Sequence, residues 1–428
     1  MGITHSIFMI FDFNFYSSLL LIFFVHGLVY AFLLWQKSIK NDSQPEKWLA
    51  LFLILCILYI APWMLGFAGW YDHQPYRDAM FYLPLMHVFF IGPIIFFYVQ
   101  SLLNPTFIFG KKQWVHLWPG FAYLGYNIII FITDKLVLKK YYFYADGMDK
   151  DFESWYQYAG FISMAVYFYL SLRYYQLYKK LIVQVISYAD AVLFKWIKNF
   201  LLAFLSMLLV RLFFYGLSFI PAFEKLSYIG PWWEYFSFAI IFYYIAITGY
   251  SNAVQTKVPF KVHLLGTQKS VLLLQSNANI SYTDKSNIDE AEIIEFEPKR
   301  PIVNKEDETL LAEWQPKIIE LLQNQKLFED PELSLTQLAK QLKTNPSIIS
   351  KVINQGFQLN FNDFINKHRI DAVKKKLQAG ELKTQTMLGI AFDSGFNSKA
   401  TFNRAFKKLT GISPKDWMEK QKPHCSNK

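Results

Sequence analysis

Residues 388–414 read LGIAFDSGFNSKATFNRAFKKLTGISP, and the order of apolar and polar positions in them decides the fold of the carboxy-terminal part of the chain. Leu388, Ile390, Ala391 and Phe392 belong to a short apolar helix, Ser394-Gly395-Phe396-Asn397 is a turn, and residues 398–406 form a second helix with Phe402 and Phe406 on one face. Two short helices joined by a glycine-bearing turn make a helix-turn-helix, whose second helix offers its outer face to DNA. The same arrangement occurs upstream. Residues 335–342, LTQLAKQL, make a short amphipathic helix and Lys343-Thr344-Asn345 a tight turn. Residues 346–353, PSIISKVI, make a second helix with Pro346 in its first turn, where a missing N–H costs little. Ile349 and Ile353 correspond to Phe402 and Phe406 at an offset of 53, and Ala339 to Ala391 at an offset of 52, so the second turn is one residue longer.

The outward polar positions of the two second helices are the expected DNA contacts: Ser347, Ser350 and Lys351 in the first unit, and Lys399, Thr401, Asn403, Arg404, Lys407 and Lys408 in the second. A single lysine would be read as a solvated helix face. Here the basic and polar set recurs on two similar helices. Between them, residues 361–377 form a connecting helix with Phe361, Phe364, Ile365, Ile370, Val373 and Leu377 on its apolar side. His368, Arg369 and the lysines 374–376 are expected on its polar side. Ser347 and Ser350 are small, so base readout falls chiefly to the second unit's Lys399 and Arg404, since Arg or Lys to guanine is the commonest specific contact.

These residues resemble the DNA-binding domain of the AraC/XylS family. Ala391, Gly395, Phe396, Phe402, Arg404, Phe406, Lys407, Gly411 and Pro414 match its signature, and LTQLAKQLKTNPSIISKVIN with NFNDFINKHRIDAVKKKL matches its first unit. The resemblance covers about 120 residues and implies two recognition helices entering successive major grooves on one DNA face, ~34 Å apart. After Pro414 the family has an aromatic residue followed by Arg, where this chain has Trp417-Met418.

Charge agrees with an anionic partner. Residues 334–428 hold 17 Lys and Arg against 6 Asp and Glu, a net +11 in a chain whose total is +10. Such a field draws polyanions; a cationic face against anionic lipid is the other reading. The rest of the chain is a different solvent problem. The whole is 53% hydrophobic and only 18% charged, below the ~25% charged content of soluble domains, and the first 250 residues carry nearly all of the imbalance.

Seven stretches there are long enough for a ~20-residue membrane helix: about 13–35, 48–70, 80–103, 114–133, 155–178, 198–220 and 231–250. Tryptophans 35, 48, 70, 114, 155, 232 and 233 fall near their ends, where amphipathic rings favour the headgroup layer. With the N-terminus outside, the inner loops carry nine lysines (37, 40, 47, 111, 112, 179, 180, 195 and 198). The outer loops carry six basic residues: Arg77, Lys135, Lys139, Lys140, Lys150 and Lys225. The bias to the inside places the C-terminus in the cytoplasm. The expected architecture is therefore all-α. A seven-helix transmembrane domain occupies residues 1–250, a polar linker 251–305, and a soluble domain 306–428 with helix-turn-helix units at about 335–355 and 386–408. Short strands or helices at 271–274 and 293–296 interrupt a linker otherwise read as flexible, with a reach of roughly 35–45 Å.

Polar groups within the spans have functional readings beside structural ones, because charge in hydrocarbon is expensive. His26, His87, His116, Asn127, Arg211 and Glu234 are the candidates. The histidines lie on different spans without helical pairing, so hydrogen-bonded bundle histidines compete with a metal or haem site. Arg211 needs a counterion, either Glu234 or a bound anionic ligand. Cys56 and Cys425 have neither disulfide nor metal spacing, and no cofactor is expected. With no nucleophile–base pair and no phosphate-binding glycine loop, the chain is not read as an enzyme. The expected partners are double-stranded DNA, membrane lipid, a small-molecule or membrane-borne signal, RNA polymerase and a second copy of the chain. The alternative is a membrane transporter or enzyme with a regulatory DNA- or lipid-binding tail.

Overall fold

The structure, a computed structural model, describes residues 11–105, 107–188, 193–220, 229–252, 260–261, 271–274, 292–295 and 305–421. Most of the expected linker, Lys225 of the last outer loop, and Cys425 lie outside the described residues. The described chain is predominantly helical, and it divides into two compact units. One comprises Met1–Tyr175 with Lys195–Gln255, the other Gln176–Phe194 with Thr256–Lys428.

All seven expected stretches are helical: α1 (Phe15–Asn41), α2 (Gln44–Phe67), α3 (Tyr76–Tyr82) with α4 (Val88–Leu103), α5 (Lys111–Trp114) with α6 (Trp118–Phe131), α7 (Ser154–Ile182), α8 (Leu193–Ser218) and α9 (Ile229–Ser251); the end of α7 from Gln176 and the first two residues of α8 fall in the second unit. Four of them are long and apolar enough to cross a membrane, at Phe15–Asn41, Gln44–Phe67, Lys111–Val137 and Trp196–Ser218. The third stretch is broken at residues 83–87, which leaves a 16-residue α4 of ~24 Å at 1.5 Å per residue. Pro84 sits in the break, where a residue preceding proline is pushed out of helical geometry. α7 runs 29 residues but carries Gln157, Arg173, Gln176, Lys179 and Lys180 among its aromatics.

The outer face of the first unit is what water would reject. Ile22, Val25, Leu28, Val29 and Phe32 on α1, Ile128 and Ile129 on α6, and Leu202, Leu209, Leu212 and Phe213 on α8 are exposed. In the carboxy-terminal unit the exposed large apolar side chains, among the described residues, are Leu382, Phe392 and Leu409. Contiguous exposed apolar surface on that scale marks an apolar environment or an interface.

The break in the third stretch is closed by a carboxylate. The backbone N–H groups of Leu85 and Met86, in the break before α4, both donate to Asp151 Oδ2 at 2.8 and 2.9 Å, and Tyr123 Oη donates to Asp151 Oδ1 at 2.7 Å. Asp151 is 2% exposed. It therefore satisfies the backbone N–H groups of the interruption, which have no helical acceptors.

In the carboxy-terminal unit three short strands, β1 (Phe260–Lys261), β2 (Val271–Leu274) and β3 (Glu292–Glu295), pair antiparallel in the order β1-β2-β3. Leu272 is opposite Ile294 and Val271 opposite Glu295. The apolar tracts read at 271–274 and 293–296 are thus strands, the second one residue earlier. Then come α10 (Lys305–Gln325), α11 (Leu335–Gln341), α12 (Pro346–Lys351), α13 (Phe361–Gln378), α14 (Met387–Phe392), α15 (Lys399–Thr410) and α16 (Pro414–Gln421). α10 continues through Pro316.

Local chemistry sets each start. The Ser334 hydroxyl accepts from Gln337 N while Gln337 Oε1 accepts from Ser334 N at 2.6 Å, a capping box at the head of α11. Asn360 caps α13 through Asp363 N at 2.8 Å, Thr386 caps α14 through Gly389 N at 3.0 Å, and Ser398 caps α15 through Thr401 N at 3.1 Å. Gly411, at φ +79°, ends α15.

Both units close on the expected positions. Ala339, Ile349 and Ile353 in the first, and Ala391, Phe402 and Phe406 in the second, are at most 2% exposed. α13 lies between them, and its Ile370, Val373 and Leu377 share a cluster with Ile390, Phe396, Phe402 and Phe406. Arg369 is the correction. Expected on the polar side of this helix, it is 1% exposed. Its Nε donates to Phe328 O and its Nη2 to Asp330 O, both at 2.7 Å, and the guanidinium lies over the Phe396 ring at 5.8 Å. Burial lowers its pKa to about 10, so it stays a cation at neutral pH.

Gly395 packs against the same group. Its φ is +94°, and a Cβ there would collide with the Phe328 carbonyl and come within 2.8 Å of Arg369 Nε. Gly395→Ala is expected to destabilise the carboxy-terminal unit by more than ~1–3 kcal/mol, from left-handed strain plus the clash. Hydrogen exchange of α13–α15 in the full chain would show it as accelerated opening confined to that unit. Asp151→Ala, by contrast, strands two buried amides and a tyrosine hydroxyl at ~1–3 kcal/mol each. Limited proteolysis should become faster in residues 134–154 and stay unchanged in the carboxy-terminal unit.

Candidate nucleic-acid interface

α15 is built to face two ways. Phe402, Ala405 and Phe406 turn inward, and Lys399, Asn403, Arg404, Lys407 and Lys408 are exposed. The exposed set follows from residues three and four apart sharing a helix face. Thr401 departs from the expectation. It is 2% exposed, and its hydroxyl pairs with Ser398 Oγ at 2.9 Å. Residues 398, 401, 402 and 405 form one i, i+3, i+4, i+7 stripe, so the third residue after the cap turns back toward it.

In the first unit the same rule relocates Ser350. Residues 346, 349, 350 and 353 make the inward stripe, and Ser350 is 5% exposed, receiving a hydrogen bond from Asn354 Nδ2 at 3.3 Å. Ser347 is half-buried and Lys351 is exposed. The outward surface of α12 is therefore narrower than the sequence suggested.

At the offset of 53, Lys351 is the counterpart of Arg404. Lys351 Nζ is paired with Asp307 Oδ1 of α10 at 2.5 Å. Lys408 Nζ meets both carboxylate oxygens of Asp363, on α13, at 2.7 Å. Neither acid was singled out from the sequence. Asp363 carries a local signal, since it follows the Asn360 cap at the position where an acid favours the helix N-terminus. Asp307 lies 44 residues from its partner, and nothing local marks it.

The intramembrane candidates separate. Arg211, 5% exposed, donates from Nε to Tyr215 Oη at 2.9 Å and from its two Nη atoms to Tyr59 Oη and Gln157 Oε1. Glu234 lines the same cavity, whose volume of about 10 Å³ is room for one water. His26 is exposed, with Nδ1 2.7 Å from Ile22 O. His87 precedes α4 with its ring 6.0 Å from that of Phe90. His116 Nδ1 lies 2.8 Å from Tyr167 Oη, and Asn127 donates to Tyr123 O at 2.9 Å. Among the described residues no three His, Cys, Asp or Glu side chains gather at metal-binding distance.

Comparison with known proteins agrees with this geometry. Residues 338–420 match the family described as a helix-turn-helix domain. An uncharacterized HTH-type transcriptional regulator of Staphylococcus aureus (strain COL) is 33% identical over 86 residues, 20% of this chain and 11% of the relative. The uncharacterized HTH-type transcriptional regulator YtdP of Bacillus subtilis (strain 168) is 25% identical over 93 residues, 22% of this chain and 12% of that protein. The chain thus spans about a tenth of the length of the curated relatives it matches. No solved structure matches it. The carboxy-terminal region is a helix-turn-helix domain of the AraC type, the kind its motifs resemble.

Removing the acids that hold Lys351 and Lys408 should free two cations for phosphate. Asp307→Asn and Asp363→Asn are each expected to tighten binding to non-specific duplex at low salt and to steepen log K against log salt by about 0.9. Fluorescence anisotropy over a salt series reads both quantities.

Proposed function

We propose that the protein is a membrane-tethered, sequence-specific DNA-binding transcription regulator. The observation that carries the reading is the duplicated unit. Two helix-turn-helix motifs share one buried pattern, and the second exposes Lys399, Asn403, Arg404 and Lys407 on a single helix face. Membrane placement is supported by the four apolar helices and by the exposed apolar side chains of the first unit. The lysine bias of the inner loops supports an outside N-terminus and a cytoplasmic DNA-binding domain.

In this reading residues 1–250 sense a small-molecule or membrane-borne signal, residues 251–305 connect, and residues 306–428 bind promoter DNA. Pairing of two copies supplies a second half-site, and RNA polymerase is the partner through which binding alters transcription. Lys399 and Arg404 make the principal base contacts, with Ser347 of the first unit and Asn403 and Lys407 of the second touching backbone and base edges, while Asp307 and Asp363 hold Lys351 and Lys408 back from phosphate. Ser350 and Thr401 act from within, by holding the recognition helices in place.

Chromatin enrichment of the full-length protein tests the assignment. Lys399→Ala with Arg404→Ala should abolish enrichment, because each Arg or Lys contact to guanine contributes ~1–3 kcal/mol of discrimination. Enrichment equal to wild type would remove these residues from the interface.

A further inference from the structure

A short piece of chain far from residues 306–428 in sequence is built into the carboxy-terminal unit. Residues 183–187 follow directly on α7, and the stretch Gln176–Phe194 groups with this unit. Ile186 forms an isolated antiparallel bridge with Ser334. Leu335 N donates to Val185 O at 2.8 Å, Ser187 N to Leu333 O at 3.2 Å, and Asn362 N to Val183 O at 3.0 Å. Side chains add to this. Ser187 Oγ donates to Leu333 O at 2.8 Å, Asn362 Nδ2 to Ser187 O at 2.9 Å, and Arg369 Nη2 to Ser187 Oγ at 3.0 Å. Val185, Ile186, Ser187, Asn362 and Arg369 are all buried.

The donors are the informative part. Leu335 N and Asn362 N belong to the first turns of α11 and α13, where backbone N–H groups have no acceptor in their own helix. Two helix starts and one buried guanidinium thus present unmet donors on one side of the first helix-turn-helix unit. Residues 183–187 supply a carbonyl or hydroxyl to each. A buried donor left without an acceptor is strongly unfavourable, so this surface requires an occupant. The recognition helices α12 and α15 make none of these hydrogen bonds.

We propose that residues 183–187 are an internal ligand of the first helix-turn-helix unit. They anchor it at the end of α7 independently of the 251–305 segment, and a shift of α7 is delivered to the heads of α11 and α13. The inference rests on reading the carboxy-terminal unit as the DNA-binding one, and it makes the turn after α7 the point where the signal reaches that unit. Its partner is a short turn, present in the same chain, whose Val183, Val185 and Ser187 carbonyls and Ser187 hydroxyl accept these donors.

The test is made on the full chain in phosphatidylcholine vesicles, whose zwitterionic surface does not attract the basic domain. A protease site is introduced within residues 296–304, the chain is cut, and the vesicles are sedimented. The carboxy-terminal fragment should stay with the pellet. Ser187→Ala with Asn362→Ala should raise the released fraction on the order of thirtyfold, the loss expected from two or three buried hydrogen bonds. DNA binding by the released fragment, followed by anisotropy, shows that the variant is folded. Release of the wild-type fragment on cutting, or equal retention of wild type and variant, would overturn the docking. A released fragment that binds DNA leaves the proposed function standing; a retained fragment without DNA binding overturns the function and leaves the docking.

Discussion

A guanidinium buried to 1% exposure sets the constraint around which the carboxy-terminal unit is organised. Arg369 cannot discard its charge at neutral pH, and an unpaired buried cation costs several kcal/mol. Its N–H groups reach Phe328 O, Asp330 O and Ser187 Oγ, and its flat face lies over Phe396. Four pieces of chain are therefore pinned to one side chain: the approach to the first motif, the connecting helix, the turn of the second motif and the segment after α7. Gly395 follows from it as well, since only a residue without a Cβ lets that turn close on the guanidinium.

One consequence is that the two motifs are held as a pair. α13 packs its apolar face into the second unit's core, and its first turn and Arg369 fasten the entrance to the first. A rigid relation between two recognition helices is what reading successive grooves on one DNA face requires. The motifs are nonetheless unequal. Lys351 is engaged by Asp307, and Ser350 has turned inward where its repeat counterpart Asn403 is exposed. Under the proposed function, base discrimination concentrates in the second motif, and the first serves mainly to position.

The periodic part of this design was legible in the sequence. Ala339 with Ala391, Ile349 with Phe402 and Ile353 with Phe406 announce the duplication, because helix faces repeat every three to four residues whatever surrounds them. Polar residues inside the apolar stripe are less legible. Ser350 and Thr401 look outward by their chemistry, yet their spacing from Ile349 and Phe402 turns them inward. The burial of Arg369 is hidden for another reason: its acceptors are backbone carbonyls and a hydroxyl contributed by distant segments, and no local pattern encodes them. The same holds for residues 183–187, for Asp151 at the break before α4, and for Asp307. In the membrane-like half, seven apolar stretches read as helices, and among the described residues four combine length and apolarity enough to cross a bilayer; the interruption at 83–87 follows from Pro84 and is held by a loop carboxylate.

The central claim is that two recognition helices, held by one buried core, meet DNA side by side. Hydroxyl-radical footprinting of a bound promoter fragment by the full chain in lipid nanodiscs tests it most directly. The account predicts two protected patches on one face of the duplex, separated by about one helical turn of ~10 base pairs. A single patch, or protection without that spacing, would contradict it.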